Sequence, residues 1–135
     1  MPIKLNAFLI DKLDDKIDLS EIGDIIPSYM LMGNENAFLL ENEHSFLVFS
    51  LIDNFGILEL SIDFIYTKTD FRGLGSMNKL ILKLADFIES QKPSLVCLKS
   101  EVVSEKSLAK INYFCSLLSE KKIEFTCLIS KSEFF

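Results

Sequence analysis

The chain has 135 residues, 49% of them hydrophobic, and its 14 basic and 20 acidic side chains give a formal charge of −6. That length allows one sizeable core but not two, the apolar content excludes disorder, and the negative charge argues against nucleic acid or an anionic membrane as partner and for a cationic one. No uninterrupted apolar run approaches the ~20 residues of a spanning helix, and the amino terminus lacks a signal-peptide layout, so a cytoplasmic protein that does not span a membrane is expected.

In chain order, residues 3–10 read as a first strand, and the acidic stretch 11–18 leads into a helix over residues 19–32 that Pro27 breaks or kinks. The cluster Asp11, Asp14, Asp15 and Asp18 lacks the glycine and terminal carboxylate of a calcium loop and reads as solvated. Strands follow at 37–40, 45–52 and 57–66, separated by Glu41-Asn42-Glu43-His44 and Asp53-Asn54-Phe55-Gly56, both with turn chemistry; they form an antiparallel meander. His44, the one histidine, reads as an exposed turn residue.

After Tyr66 the apolar period changes. Leu80, Ile81, Leu84, Phe87 and Ile88 recur at three- and four-residue spacings, which predicts a helix that buries one face and ends before Pro93. Residues 94–98 read as a buried strand, 105–118 as a second amphipathic helix and 123–129 as a last strand. No linker, repeat or low-complexity tract divides the chain, so residues 1–135 read as a single α/β (α+β) domain: a mixed, largely antiparallel sheet flanked by helices. Cys97, Cys115 and Cys127 have apolar neighbours and no Cys-x-x-Cys spacing, the pattern of reduced core thiols. The terminal Phe134 and Phe135 are expected either to close the sheet against the second helix or to bury in a homodimer.

The segment from Tyr66 through Arg72, Gly73 and Gly75 to Leu80 joins a strand to a helix. Glycines there let the backbone approach an anion, and the free N–H groups of the helix's first turn point at it with the positive end of the helix dipole. A diphosphate suits such a site. The Lys-Ser/Thr pair of a Walker loop is absent, and a dinucleotide fingerprint would follow the first strand of a parallel unit rather than a meander. A tight connection without a ligand is the competing reading of the same glycines. On the preceding strand Glu59, Ser61 and Asp63 share one face by simple alternation, and Leu58, Leu60, Ile62 and Phe64 the other. A carboxylate there could take the proton that an amine must lose before attacking a thioester; the competing reading, preferred for Glu59, is a solvated sheet face.

The run from Asp63 to Leu80 resembles the central motif of the GNAT acyltransferases, a strand followed by Arg/Gln-x-x-Gly-x-Gly/Ala and a helix. Arg72 and Gly75 match its first two fixed positions, and Met77 stands at the third, where the family has Gly or Ala. The order of elements along the whole chain agrees with that fold. The resemblance implies acetyl-CoA, or another acyl-CoA, as cofactor. It places Tyr66 and Thr67 at the cofactor and gives Arg72, Gly73, Leu74, Gly75, Ser76 and Met77 main-chain contacts to its diphosphate. It also implies an amine acceptor, of cationic character given the charge, and Asp63, nine residues before Arg72, as general base. Ser119 stands at or near the position where many members carry a tyrosine that protonates the departing thiolate. Beside this enzyme reading stands a non-catalytic protein of the same fold, an acidic immunity-like or chaperone-like cover for a basic partner. A ligand-free adaptor that binds through a helix groove is a third.

Overall fold

The structure, a computed structural model, describes residues 2–4, 36–102 and 104–131. The expected first strand beyond Lys4, the helix over 19–32, the acidic cluster and the two terminal phenylalanines lie outside them. Among the described residues, strands β1 (Ile3–Lys4), β2 (Ala37–Glu41), β3 (Ser45–Asn54), β4 (Ile57–Thr67), β5 (Leu95–Val102) and β6 (Phe125–Lys131) form one sheet in sequential order. The first four are antiparallel, and β4, β5 and β6 are parallel. Two-residue chemistry makes the β3–β4 hairpin: Phe55 and Gly56 both have positive φ, and the Asp53 carboxylate accepts from Gly56 N at 2.9 Å.

Parallel strands need crossovers, and these are the helices α1 (Ser76–Ser90) and α2 (Glu105–Glu120). Because both crossovers advance in one direction across the sheet, the right-handed rule puts both helices on the same face. There α1 buries Leu80, Ile81, Leu84 and Ile88 in a cluster with Phe49, Leu58, Leu60 and Ile62 of the sheet and with Ile111, Phe114 and Leu118 of α2. Each such side chain stabilises the fold by roughly 1.5–3 kcal/mol on removal from water. Lys121 ties the far end of α2 to α1 through Asp86 at 2.7 Å and Glu89 at 3.3 Å. On the other face Leu39, Phe46 and Val48 are buried as well, so the sheet is covered on both sides around β2 and β3.

A β-bulge interrupts β4. Val48 faces Phe64 but Phe49 faces Ile62, so the register steps over Asp63. An extra residue reverses the alternation beyond it. Phe64 therefore lies on the face of Phe46 and Tyr66, its ring 5.5 Å from that of Phe46, while Ile65 packs against the helix-side core. The expectation that Phe64 shares a face with Leu58, Leu60 and Ile62 is corrected accordingly. The cysteines also differ from core thiols: Cys97 and Cys115 are half-buried and Cys127 is exposed, because β6 is the edge of the described sheet and its face is only partly covered.

Candidate functional site

Pairing between β4 and β5 stops at Ser61 and Lys99, although β4 runs on to Thr67 and β5 to Val102. Beyond that point the two strands diverge, and the Ser100 hydroxyl reaches across to the carbonyl of Ile62 at 3.3 Å. The divergence opens into a cleft of about 640 Å³ between the end of β4, the loop into α1 and the first turns of α2.

The loop begins as a 3₁₀ turn, Thr69–Phe71, and reaches α1 through Gly73 and Gly75, each at φ +82°. Only glycine adopts that backbone without strain. An added Cβ at either glycine would meet no protein atom, so both face open space. Gly75 is the N-cap, and the first hydrogen bond into the helix runs from Lys79 N to Gly75 O. The amides of Ser76, Met77 and Asn78 are thus left without helical acceptors at the positive end of the dipole, and all three residues line the cleft.

The helix start is held by the β2–β3 turn. Asn42 Oδ1 accepts from the amides of His44 and Ser45 and from the Ser76 hydroxyl at 2.9–3.2 Å, and Asn42 Nδ2 donates to Ser76 O at 3.0 Å. The Ser45 hydroxyl lies 2.7 Å from that of Thr67 and donates to that of Ser76 at 2.8 Å. His44 is half-buried, not exposed: its ring stacks on Phe71 at 3.5 Å, which fixes the turn against the loop.

Arg72 folds back, its Nε donating to Thr67 O at 2.9 Å and its guanidinium 5.7 Å from the centre of the Tyr66 ring. The far wall comes from α2, capped by Ser104, whose hydroxyl accepts from Ser107 N at 3.2 Å while Ser107 Oγ accepts from Ser104 N at 3.1 Å. Lys110 crosses the cleft to Asn78 Oδ1 at 2.6 Å, and Lys106 lies one turn earlier. Two helix starts and three cationic side chains thus converge in a chain of net charge −6, a strong local preference for an anion.

Of the residues expected from sequence, Tyr66, Thr67, Arg72, Gly73, Gly75, Ser76 and Met77 line this cleft. Met77 is only 6% exposed and joins the helix-side core, so its larger side chain turns away from the anion-binding backbone. Leu74 is exposed at the loop's apex and does not line the cleft. Asp63 lies on the sheet face opposite the helices, with Ser50 Oγ donating to Oδ2 and Ser61 Oγ to Oδ1, the latter at 2.7 Å. Glu59 is exposed further down β4, and Ser119 is exposed in the last turn of α2; neither is brought to the cleft. Tyr113 packs against the core. Sequence reasoning missed Asn42, Asn78, Ser104, Ser107, Lys106 and Lys110. The signals for the last four were Ser-x-x-Ser before an amphipathic run and two lysines four apart.

No family model matches the sequence, and no curated protein does. Solved structures of similar architecture include a ribosomal-protein-alanine N-acetyltransferase from Brucella melitensis biovar Abortus 2308, with 21% identity, TM-score 0.59 and coverage of 81% of this chain and 85% of that one. An aminoglycoside acetyltransferase from an uncultured soil metagenomic sample, in complex with sisomicin, has 15% identity, TM-score 0.54 and coverage of 87% and 86%. A possible acetyltransferase from Clostridium difficile 630 has 11% identity, TM-score 0.55 and coverage of 100% and 96%. At these identities the likeness is one of architecture. The chain has the fold of the GNAT-type acetyltransferases.

Proposed function

We propose that the protein is an acyl-CoA-dependent N-acyltransferase that transfers an acyl group, acetyl in the simplest case, to a primary amine of a small molecule or peptide. The observation that carries this reading is the glycine-bracketed entry into α1, whose unpaired first-turn amides open on the 640 Å³ cleft. The donor set fits an acyl-CoA: three main-chain amides, Arg72, Lys106 and Lys110 suit its phosphates, and Ile65, Tyr66 and Phe71 offer apolar wall for its arm. Each charge-assisted hydrogen bond contributes roughly 1.5–3 kcal/mol, so a few of them plus apolar burial reach the roughly −8 kcal/mol of micromolar affinity.

When bound, the cofactor supplies a thioester whose carbonyl carbon an amine can attack. The chain's own part is positioning and proton transfer. The amides of Ser76, Met77 and Asn78 hold the phosphates, and the turn at Asn42 keeps them in place. Asp63 takes the proton from the ammonium acceptor, with the Ser50 and Ser61 hydroxyls fixing its orientation. Ser119, exposed in the last turn of α2 and away from the cleft, takes no part as an acid. The net negative charge draws cationic acceptors such as polyamines, lysine-rich peptides or amino sugars.

Titration calorimetry with acetyl-CoA and CoA tests this directly. Micromolar binding is expected for the parent, weakened at least about tenfold in Gly75→Asp, which adds a strained Cβ and a negative charge at the anion site. Neither heat nor a thermal shift at millimolar ligand sinks the proposal. One observation favours the alternative, a non-catalytic acidic protein that covers a basic partner: Asp63 does not line the cleft, and both its oxygens are engaged by the Ser50 and Ser61 hydroxyls on the sheet face opposite the helices. CoA binding without acylation of any amine would select that reading.

A further inference from the structure

Away from the cleft, two of the three cysteines stand together. Cys115, on α2, and Cys127, on β6, have their sulfurs 3.9 Å apart. Cys127 pairs in register with Leu98 of the helix-side core, so its side chain lies on the face that α2 covers. Cys97 pairs with Thr126, one residue away, and so lies on the opposite face of the sheet. The two thiols differ in exposure: Cys127 is exposed, and Cys115 is half-buried against the core.

We propose that Cys115 and Cys127 form a reversible intramolecular disulfide when the protein meets a hydroperoxide, with Cys127 as the peroxide-reactive thiol and Cys115 as the resolving one. The sulfurs must close from 3.9 Å to the ~2.05 Å of a disulfide bond, a movement that side-chain rotation and an edge strand can supply. Attack by the Cys127 thiolate on the peroxide breaks the O–O bond, leaving a sulfenic acid on Cys127 and, after protonation, an alcohol. The Cys115 sulfur then attacks the sulfenic sulfur. An S–S bond forms, the S–O bond breaks, and the departing hydroxide takes the Cys115 proton to become water. In sum, two thiols and a hydroperoxide give a disulfide, an alcohol and water.

The assignment of roles rests on exposure and agrees with acidity. Burial, followed by the neighbouring Cys127 charge and its hydrogen bond, pushes the Cys115 thiol up to about 12. Cys115 therefore stays protonated while Cys127 meets the oxidant. Once Cys127 carries a neutral sulfenic acid, the part of that shift caused by its charge disappears, and Cys115 is freer to react. This inference is independent of the acyltransferase reading.

The test treats the folded full-length chain with a small excess of hydrogen peroxide, alkylates the remaining thiols and reads intact mass and linked peptides. Free thiols should fall from three to one, with Cys97 alkylated, one Cys115–Cys127 peptide, and a melting temperature raised by roughly 5–10 °C until dithiothreitol is added. Cys97→Ser should form the same bond. Cys115→Ser should leave a sulfenic acid on Cys127 that dimedone traps. Cys127→Ser, at the exposed position, should abolish the bond while melting within about a degree of the reduced parent. A cross-link to Cys97, or Cys127 over-oxidised in the parent while Cys115 remains alkylatable, overturns the proposal.

Discussion

Asp63 is the residue the β3–β4 register steps over, and that displacement sets its chemistry. The bulge keeps its carboxylate on the face of Ser50 and Ser61, two to four residues from the end of the strand that enters the cleft. If Asp63 accepts the amine proton, Asp63→Asn should lower kcat/KM by about 10²–10⁴-fold at neutral pH while leaving acetyl-CoA affinity unchanged, because the cofactor is held further along the chain. The deficit should shrink as pH rises toward the amine's own pKa, where the acceptor deprotonates unaided. A steady-state pH profile of both proteins checks this; equal rates on a good acceptor would show that Asp63 is not the base. The glycines and Arg72 were legible in the sequence because their spacing is local. The bulge was not: Ile62, Phe64, Ile65 and Tyr66 around it are all apolar, so no alternation of polarity marks where the face reverses.

At the scale of elements, the sequence periodicity located the meander, both described helices and the strands between them to within a few residues, the largest shift being at the end of β5. It could not show what holds α1 in place, since the contacts run from Asn42 to Ser76, 34 residues apart. Asn42→Ala removes the donor and acceptor that join the β2–β3 turn to the helix start. It should cost about 1–3 kcal/mol of stability and weaken acetyl-CoA severalfold, by letting the amides move rather than by touching the ligand. Calorimetry and a thermal melt would record both, and unchanged affinity would show that the turn does not position the site. The β3–β4 hairpin makes an opposite prediction. Phe55 is fully exposed with φ +56°, a conformation that costs a bulky residue roughly 1–2 kcal/mol. Phe55→Asn should raise the melting temperature by a few degrees, losing no burial and gaining a residue suited to the turn; a lower melting temperature would reveal a contact for that ring.

For the molecule as a whole, charge and topology pull in different directions. The surface is acidic, yet the cleft gathers Arg72, Lys106 and Lys110 with two helix starts, an arrangement assembled from segments about thirty residues apart that no local pattern announces. No described helix is long and apolar enough to cross a membrane.

The half-paired seam between β4 and β5 has a consequence for the rates at which backbone amides trade their protons with solvent. Inside a fully bonded sheet those protons are released only by large openings, but an amide that loses its neighbouring strand exchanges through small local fluctuations. Segment 57–61, bonded on both sides, should retain its protons longest, and segment 62–67 should lose them sooner although it belongs to the same strand. Acetyl-CoA lying in the seam would slow exchange across 62–67 and 73–79 and leave 57–61 unaltered. Deuterium uptake followed by mass spectrometry reads all three segments at once, and equal uptake along β4 in the free protein would mean that the seam is closed in solution.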